Sequence, residues 1–150
     1  MLRMCDQHEF YFEFDKAYNH QLIEKFEASP EHPLAEDVAP RAKGVYAIYW
    51  KGELVYGGKA LETKLGQRLS QHYRKITSRP SVVINEVTCR YLVIEGDWFV
   101  RAAEDALIQK YRPLWQGSGF GSKVEGRGRP GIRISRWNRE FPLPDVTSEE

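Results

Sequence analysis

The chain has 150 residues, 41% of them hydrophobic and 29% charged, which suits one globular domain with a single modest core. A net charge of +1 does not announce a nucleic-acid partner, but the charge is uneven: residues 1–40 hold three basic and nine acidic residues, and residues 112–139 hold seven basic and one acidic. No apolar run reaches the length of a membrane span, no signal-peptide pattern opens the chain, and Cys5 and Cys89 offer neither a disulfide framework nor metal-ligand spacing, so we expect reduced thiols in a cytoplasmic protein. Residues 8–15 (HEFYFEFD) alternate loosely and predict a strand, after which Asp15 is placed to cap a helix over about 16–28 with Leu22, Ile23 and Phe26 buried. Residues 29–40 contain three prolines and read as an extended connection. His8, His20 and His32 have no metal-site spacing and are assigned to surface or packing.

Gly44–Trp50 is β-branched and aromatic, as a strand requires. Lys51-Gly52 signals a turn, and Glu53–Tyr56 returns as a short second strand, predicting a hairpin. Gly57-Gly58 is expected to let the backbone turn away. A helix follows from Thr63 with Leu65, Leu69 and Ile76 on one face and Arg68 and His72, four apart, at its edge. Thr77–Pro80 is a break, and Val82–Asn85 fits helix or strand. Residues 87–94 are apolar almost throughout, as a central strand buried on both faces would be. Asp97 is placed to cap a helix over 98–111 with Phe99, Val100, Ala103, Ala106 and Leu107 as its core stripe. Glu104 sits at the margin of that stripe, where a carboxylate can face a cleft, and Arg112-Pro113 ends the helix. Residues 117–131 hold six of the twelve glycines and read as too flexible for a core element. Lys123, Arg127, Arg129 and Arg133 alternate with those glycines, and Arg136 and Arg139 extend the basic run, a pattern suited to contacting a phosphate backbone.

Two tyrosines, a lysine, an arginine and a histidine are thus concentrated on one small sheet-and-helix unit. Phosphodiester cleavage uses such groups: cations for the phosphate and a proton acceptor for the attacking water. Each residue alone also has a plain structural reading, as packing or as a solvated helix edge.

Gly44-Val45-Tyr46, Tyr56-Gly57-Gly58-Lys59-Ala60, Arg68-Leu69, and Glu104 followed by Arg112-Pro113 and Trp115 together resemble the signature of the GIY-YIG nuclease superfamily. The resemblance spans roughly residues 43–116. With the proline-ended N-terminal arm, a downstream Gly-Phe-Gly and a basic Arg-Trp segment, the chain is most similar to the small type II restriction endonucleases of that superfamily, which cut short palindromes as homodimers. The resemblance implies an α+β fold with a small three-stranded antiparallel sheet flanked by helices. It divides a single domain into an arm (1–40), a catalytic core (41–116) and a DNA-contacting extension (117–150). It implies an endonuclease acting on double-stranded DNA, dimeric at least on its substrate, with one Mg²⁺ or Mn²⁺ per site. Glu104 would hold the cation and Arg68 would neutralise the scissile phosphate. Tyr46 would deprotonate or position the water, its pKa lowered by nearby cations, with His72 receiving the proton. Tyr56 would orient the water or phosphate, and Lys59 is a competing base. Two positions depart from the pattern: Gly57 replaces an apolar residue, loosening the strand end, and Gln116 stands where asparagine is usual. The alternatives are a GIY-YIG nuclease of repair, phage defence or a larger DNA-processing complex, and a non-catalytic binding module, which would need none of the set Tyr46, Tyr56, Arg68, His72 and Glu104.

Overall fold

The alternation of side chains along one strand sets the layers of this α+β fold. The computed structural model describes residues 8–122 and 134–144. In chain order its elements are helix α1 (Phe14–Glu27), strand β1 (His32–Pro33), strands β2 (Gly44–Trp50) and β3 (Glu53–Ala60), helix α2 (Leu65–Thr77), a 3-10 turn (Ile84–Glu86), strand β4 (Val87–Val93), and helices α3 (Asp97–Tyr111) and α4 (Arg136–Glu140). The sheet is antiparallel with the order β1-β4-β2-β3. Val45 and Ala47 of β2 face one side and pack with Leu22, Ile23 and Phe26 of α1 and Ala103, Ala106 and Leu107 of α3. Tyr46 and Ile48 face the other side and pack with Leu65, Leu69 and Ile76 of α2 and with Trp115, Phe120 and Trp137. Helices on both faces bury β2 from Gly44 to Ile48; β4, flanked on its outer side by the two-residue β1, is buried at alternate positions at best. The expectation that residues 87–94 form the doubly buried strand is therefore corrected.

The hairpin follows from its turn. Lys51 and Gly52 both take positive φ, 53° and 82°, the combination that matches the twist of a two-residue hairpin. Ile48 pairs with Tyr56 but Tyr49 pairs with Leu54, so Val55 is an extra, bulged residue. The second strand does not stop at Tyr56. Gly57 and Gly58 continue it in register opposite Ala47 and Tyr46, so their role is not to turn the chain. A Cβ on Gly58 would lie 2.4 Å from the Tyr46 hydroxyl, whereas one on Gly57 would meet only ordinary contacts at 3.8 Å. Gly58 makes room for a tyrosine.

The N-terminal arm differs most from expectation. Residues 9–13 form no strand and pair with neither edge of the sheet; Phe10 and Tyr11 are 86% and 79% exposed. The helix begins at Phe14, so Asp15 lies in its first turn and does not cap it. The proline-containing connection supplies β1, which pairs with β4 through His32↔Cys89 and Pro33↔Thr88 and makes the sheet four-stranded where three strands are expected. The same connection satisfies the exposed start of α2: Leu65 N–H donates to Ala42 O at 2.9 Å and Gly66 N–H to Pro40 O at 3.0 Å. That helix starts at Leu65, two residues later than expected. On α3 the cap is Gly96; Asp97 instead pairs with Lys43 at 2.7 Å, and Phe99, expected in the core stripe, is 43% exposed. Arg112 ends α3 in the left-handed region with φ 44°, just before Pro113.

The glycine-rich segment holds the other correction. Phe120, in the middle of Gly-Phe-Gly, is fully buried, and Trp137 within the basic run is too. Burying a phenylalanine contributes about 1.5–3 kcal/mol, enough to hold a short glycine loop against the sheet. Cys89 is a buried free thiol whose pKa burial pushes up to about 12. Among the described residues no helix is long and apolar enough to cross a membrane.

Candidate active site

Because β3 is the edge of the sheet, side chains from both of its faces can reach one cleft. Tyr56 and Gly58 point to the α2 side, where their partners Ile48 and Tyr46 lie; Gly57 and Lys59 point to the α3 side with Ala47 and Val45. The cleft, of about 360 Å³, is lined by Tyr56, Lys59, Arg68, Arg101 and Glu104, with Leu61–Thr63 and Asp97 at its rim. Arg68 comes from α2 and Glu104 from α3, so the two helices that sandwich the sheet each place one charged group at its edge.

The α2 side is dry. Tyr46 is fully buried and its hydroxyl lies 2.6 Å from His72 Nε2. The Arg68 guanidinium acts on both tyrosine hydroxyls. The Tyr46 phenol can donate to His72 in the tautomer that leaves Nε2 unprotonated. Burial raises the Tyr46 pKa well above the ordinary tyrosine value; the repulsion of Tyr56 adds to this, and the attraction of Arg68 does not overcome it. The expectation that nearby cations lower it is thus reversed, because removal from water outweighs the one positive charge. Tyr56 is raised too, again by burial first. Burial drives His72 the other way, well below the usual histidine value, helped by the charges of Arg68 and Lys75, so it is a neutral proton acceptor at pH 7. Tyr56 reaches the cleft wall; Tyr46 stands behind it, the rings 6.2 Å apart.

The α3 side is wet and ionic. Lys59 Nζ donates to Glu104 Oε1 at 3.1 Å, with 41% and 18% of the two side chains exposed. No group of three or more His, Cys, Asp or Glu that could cage a metal occurs among the described residues. Of the carboxylates that line the cleft, Glu62, Asp97 and Glu104, the partly shielded Glu104 is the residue that would hold a hard cation that keeps most of its water.

The structure brings Tyr46, Tyr56, Lys59, Arg68, His72 and Glu104 together. Gln116 supports them from outside the cleft. Its Oε1 accepts from Gly57 N–H at 3.1 Å, and Trp115 N–H donates to Val55 O at 2.8 Å. These two bonds grip the edge strand on either side of Tyr56, so the two departures, Gly57 and Gln116, meet each other, and the strand end is held where loosening is expected. Arg136 and Arg139 are exposed on α4 and do not line the cleft; Arg136 donates to Leu114 O at 2.6 Å. Lys123, Arg127, Arg129 and Arg133 lie outside the described residues. Sequence reasoning missed Arg101 and Asp97. They precede Glu104 by three and seven residues, a helical spacing that puts all three on one stripe of α3.

The Eco29kI GIY-YIG domain family matches residues 56–142, more than half of the chain. None of the curated proteins matches it. Among solved structures the chain is similar to the GIY-YIG N-terminal endonuclease domain of UvrC from Thermotoga maritima bound to its catalytic divalent cation, magnesium, with 26% identity and a TM-score of 0.42 over 63% of this chain and 94% of that one. A point mutant of the same domain, bound to its catalytic divalent cation, gives 25% identity and a TM-score of 0.42 over the same shares.

Proposed function

The chain belongs to the Eco29kI GIY-YIG family, a nuclease domain family, and on that premise we propose that it is a metal-dependent, site-specific endonuclease that hydrolyses double-stranded DNA. One observation carries the reading: Arg68 and Tyr56 from one face of the sheet and Lys59 and Glu104 from the other line a single cleft at the edge of β3. Arg68 neutralises the scissile phosphate, whose oxygens replace the acceptors it holds at rest, Gln71 Oε1 at 2.8 Å and Gly121 O at 3.3 Å. Tyr56, at the cleft wall, orients the attacking water. The water's proton passes through Tyr56 at the cleft wall to the buried Tyr46 as Tyr46 passes its own to His72 Nε2. Lys59 donates to Glu104 and is assigned to holding that carboxylate rather than to the base role. Glu104 would hold a divalent cation, Mg²⁺ or Mn²⁺, which would supply Lewis-acid stabilisation of the leaving oxygen. No covalent enzyme intermediate is needed.

The arm (1–40), core (41–116) and extension (117–150) act in this reading as one cytoplasmic domain, with Lys123, Arg127, Arg129, Arg133, Arg136 and Arg139 on the DNA backbone. The basic excess of residues 112–139 supports that placement. A cutter of short palindromes acts as a two-fold dimer, so its mass on a cleaved duplex is expected to be that of two chains. The deciding experiment incubates mixed plasmid and phage DNA with the protein and Mg²⁺. Discrete fragments are expected, and adding a chelator should abolish them. A smear or nicked circles alone would remove the site-specific claim, and intact DNA would leave a binding module. Replacing Arg127, Arg129 and Arg133 together is expected to weaken binding and flatten its salt dependence; an unchanged salt slope would take the extension off the DNA.

A further inference from the structure

Lys75 lies one turn beyond His72 on α2. In the fold it is only 4% exposed. Its ammonium donates to three carbonyls of one loop: Gly119 O at 3.0 Å, Phe120 O at 2.9 Å and Ser122 O at 3.2 Å. The rings of Phe120 and Trp137 cover it, with centroids 5.7 and 5.1 Å away. A buried ammonium is costly to desolvate, and an apolar side chain of similar length would fill the same space without that cost. What the charge adds is direction. It fixes where the three carbonyls stand, and so where the rest of the loop stands.

That loop meets the active site at three points. Phe120 stacks on the His72 imidazole, centroids 4.7 Å apart and planes 16° from parallel, and meets Tyr56 edge-on at 4.9 Å. Gly121 lies so close to the Tyr56 hydroxyl that a Cβ there would come within 2.2 Å of it. The Gly121 carbonyl accepts from Arg68 Nη2 at 3.3 Å. We propose that Lys75 is a positioning residue of the active site: by gathering the carbonyls of Gly119, Phe120 and Ser122 it seats Phe120 on His72 and Gly121 against Tyr56 and Arg68. It does so without touching the cleft. The effect on rate rests on the nuclease reading above; the geometry does not.

The test compares the parent with Lys75→Met on plasmid and phage DNA that the parent cuts. Single-turnover cleavage is expected to fall about 30-fold, because small displacements of reacting groups are costly. The dissociation constant for the same DNA is expected to stay within about threefold, since only groups acting in the reaction have moved. In carbon–proton spectra the His72 ring signals are expected to lose the ring-current shift of Phe120 and approach those of Phe120→Leu. Parental rate in a cooperatively folded Lys75→Met overturns the proposal while leaving the nuclease reading intact. If no DNA is cut by the parent, the nuclease reading fails, and the spectra judge Lys75 alone: unchanged His72 signals overturn it. Should Lys75→Met not fold, Lys75→Gln replaces it, leaving an uncharged amide for the three carbonyls, and a parental rate with unchanged His72 signals there also overturns the proposal.

Discussion

The two sides of strand β3 put neighbouring residues under opposite physics. Tyr56 faces a dry wall of Tyr46, His72 and Phe120, where burial keeps hydroxyls and imidazole neutral and Tyr46 is hydrogen-bonded to His72. Lys59, three residues on, faces a half-open ion pair with Glu104. The dry side can move a proton between uncharged groups; the wet side can hold charge beside water. An edge strand is the place where one cleft can draw on both, since alternate side chains of a strand point to opposite faces, and Trp115 and Gln116 hold its outer rim.

Removing the charge from the wet side should have the largest effect. Glu104→Ala is expected to lower single-turnover cleavage by about three orders of magnitude with the DNA dissociation constant little changed, because the group acts on transition-state charge. A rate near the parent's would leave the wet side without a catalytic part. On the dry side, Tyr46→Phe is expected to cost about 100-fold in the same assay, the range of a lost proton-transfer group. Its thermal unfolding should stay cooperative, as the ring still packs. Unchanged turnover would break the relay from water through Tyr46 to His72.

Stability separates the two faces more finely. Gly58→Ala forces a methyl into the Tyr46 hydroxyl and is expected to cost about 2 kcal/mol in urea unfolding. Gly57→Ala, one residue away and facing Leu107 and Ile108 at ordinary contact distance, is expected to stay within about 0.5 kcal/mol of the parent. Equal costs would mean that the glycines serve the backbone and not the tyrosine. The smallest effect is on pH. Tyr46, Tyr56, Arg68 and Lys75 face His72, and burial holds its folded pKa far below the roughly 6.5 of an unfolded chain. Below that pH the unfolded chain takes up a proton that the folded one refuses. Stability present above pH 6.5 is therefore lost as pH falls, by at most about 1.4 kcal/mol per pH unit from this group. Unfolding at pH 7 and 5.5 should show a shallower dependence in His72→Gln than in the parent; identical slopes would mean that His72 is protonated in the fold.

Legibility followed the range of the interactions. The hairpin, α2, α3 and the clustering of Tyr46, Tyr56, Lys59, Arg68 and His72 could be read because β-branched runs, turn residues and four-residue spacings are local signals; Glu104 joined them through the family resemblance. The aromatic run at residues 9–13 misled because its alternation is local, whereas a strand also needs a partner, and this run pairs with neither edge of the sheet. Phe120 misled in the opposite sense. Its glycine neighbours signal freedom, while the pocket formed by Tyr56, His72, Trp115 and Trp137 binds the ring from four distant points of the chain.

The sequence by itself determined the central hairpin and the side chains gathered near its edge, which follow from residue type and spacing along a few turns; the family and the α+β class came through the resemblance that its motifs carry. Only the tertiary structure decided that Gly57 and Gly58 continue a strand, that Gln116 reaches Gly57, that Lys75 is buried, and that burial prevails over charge at Tyr46. Each of these depends on which atoms lie within a few ångströms across long stretches of chain, and desolvation is a property of the assembled surroundings that no single segment carries.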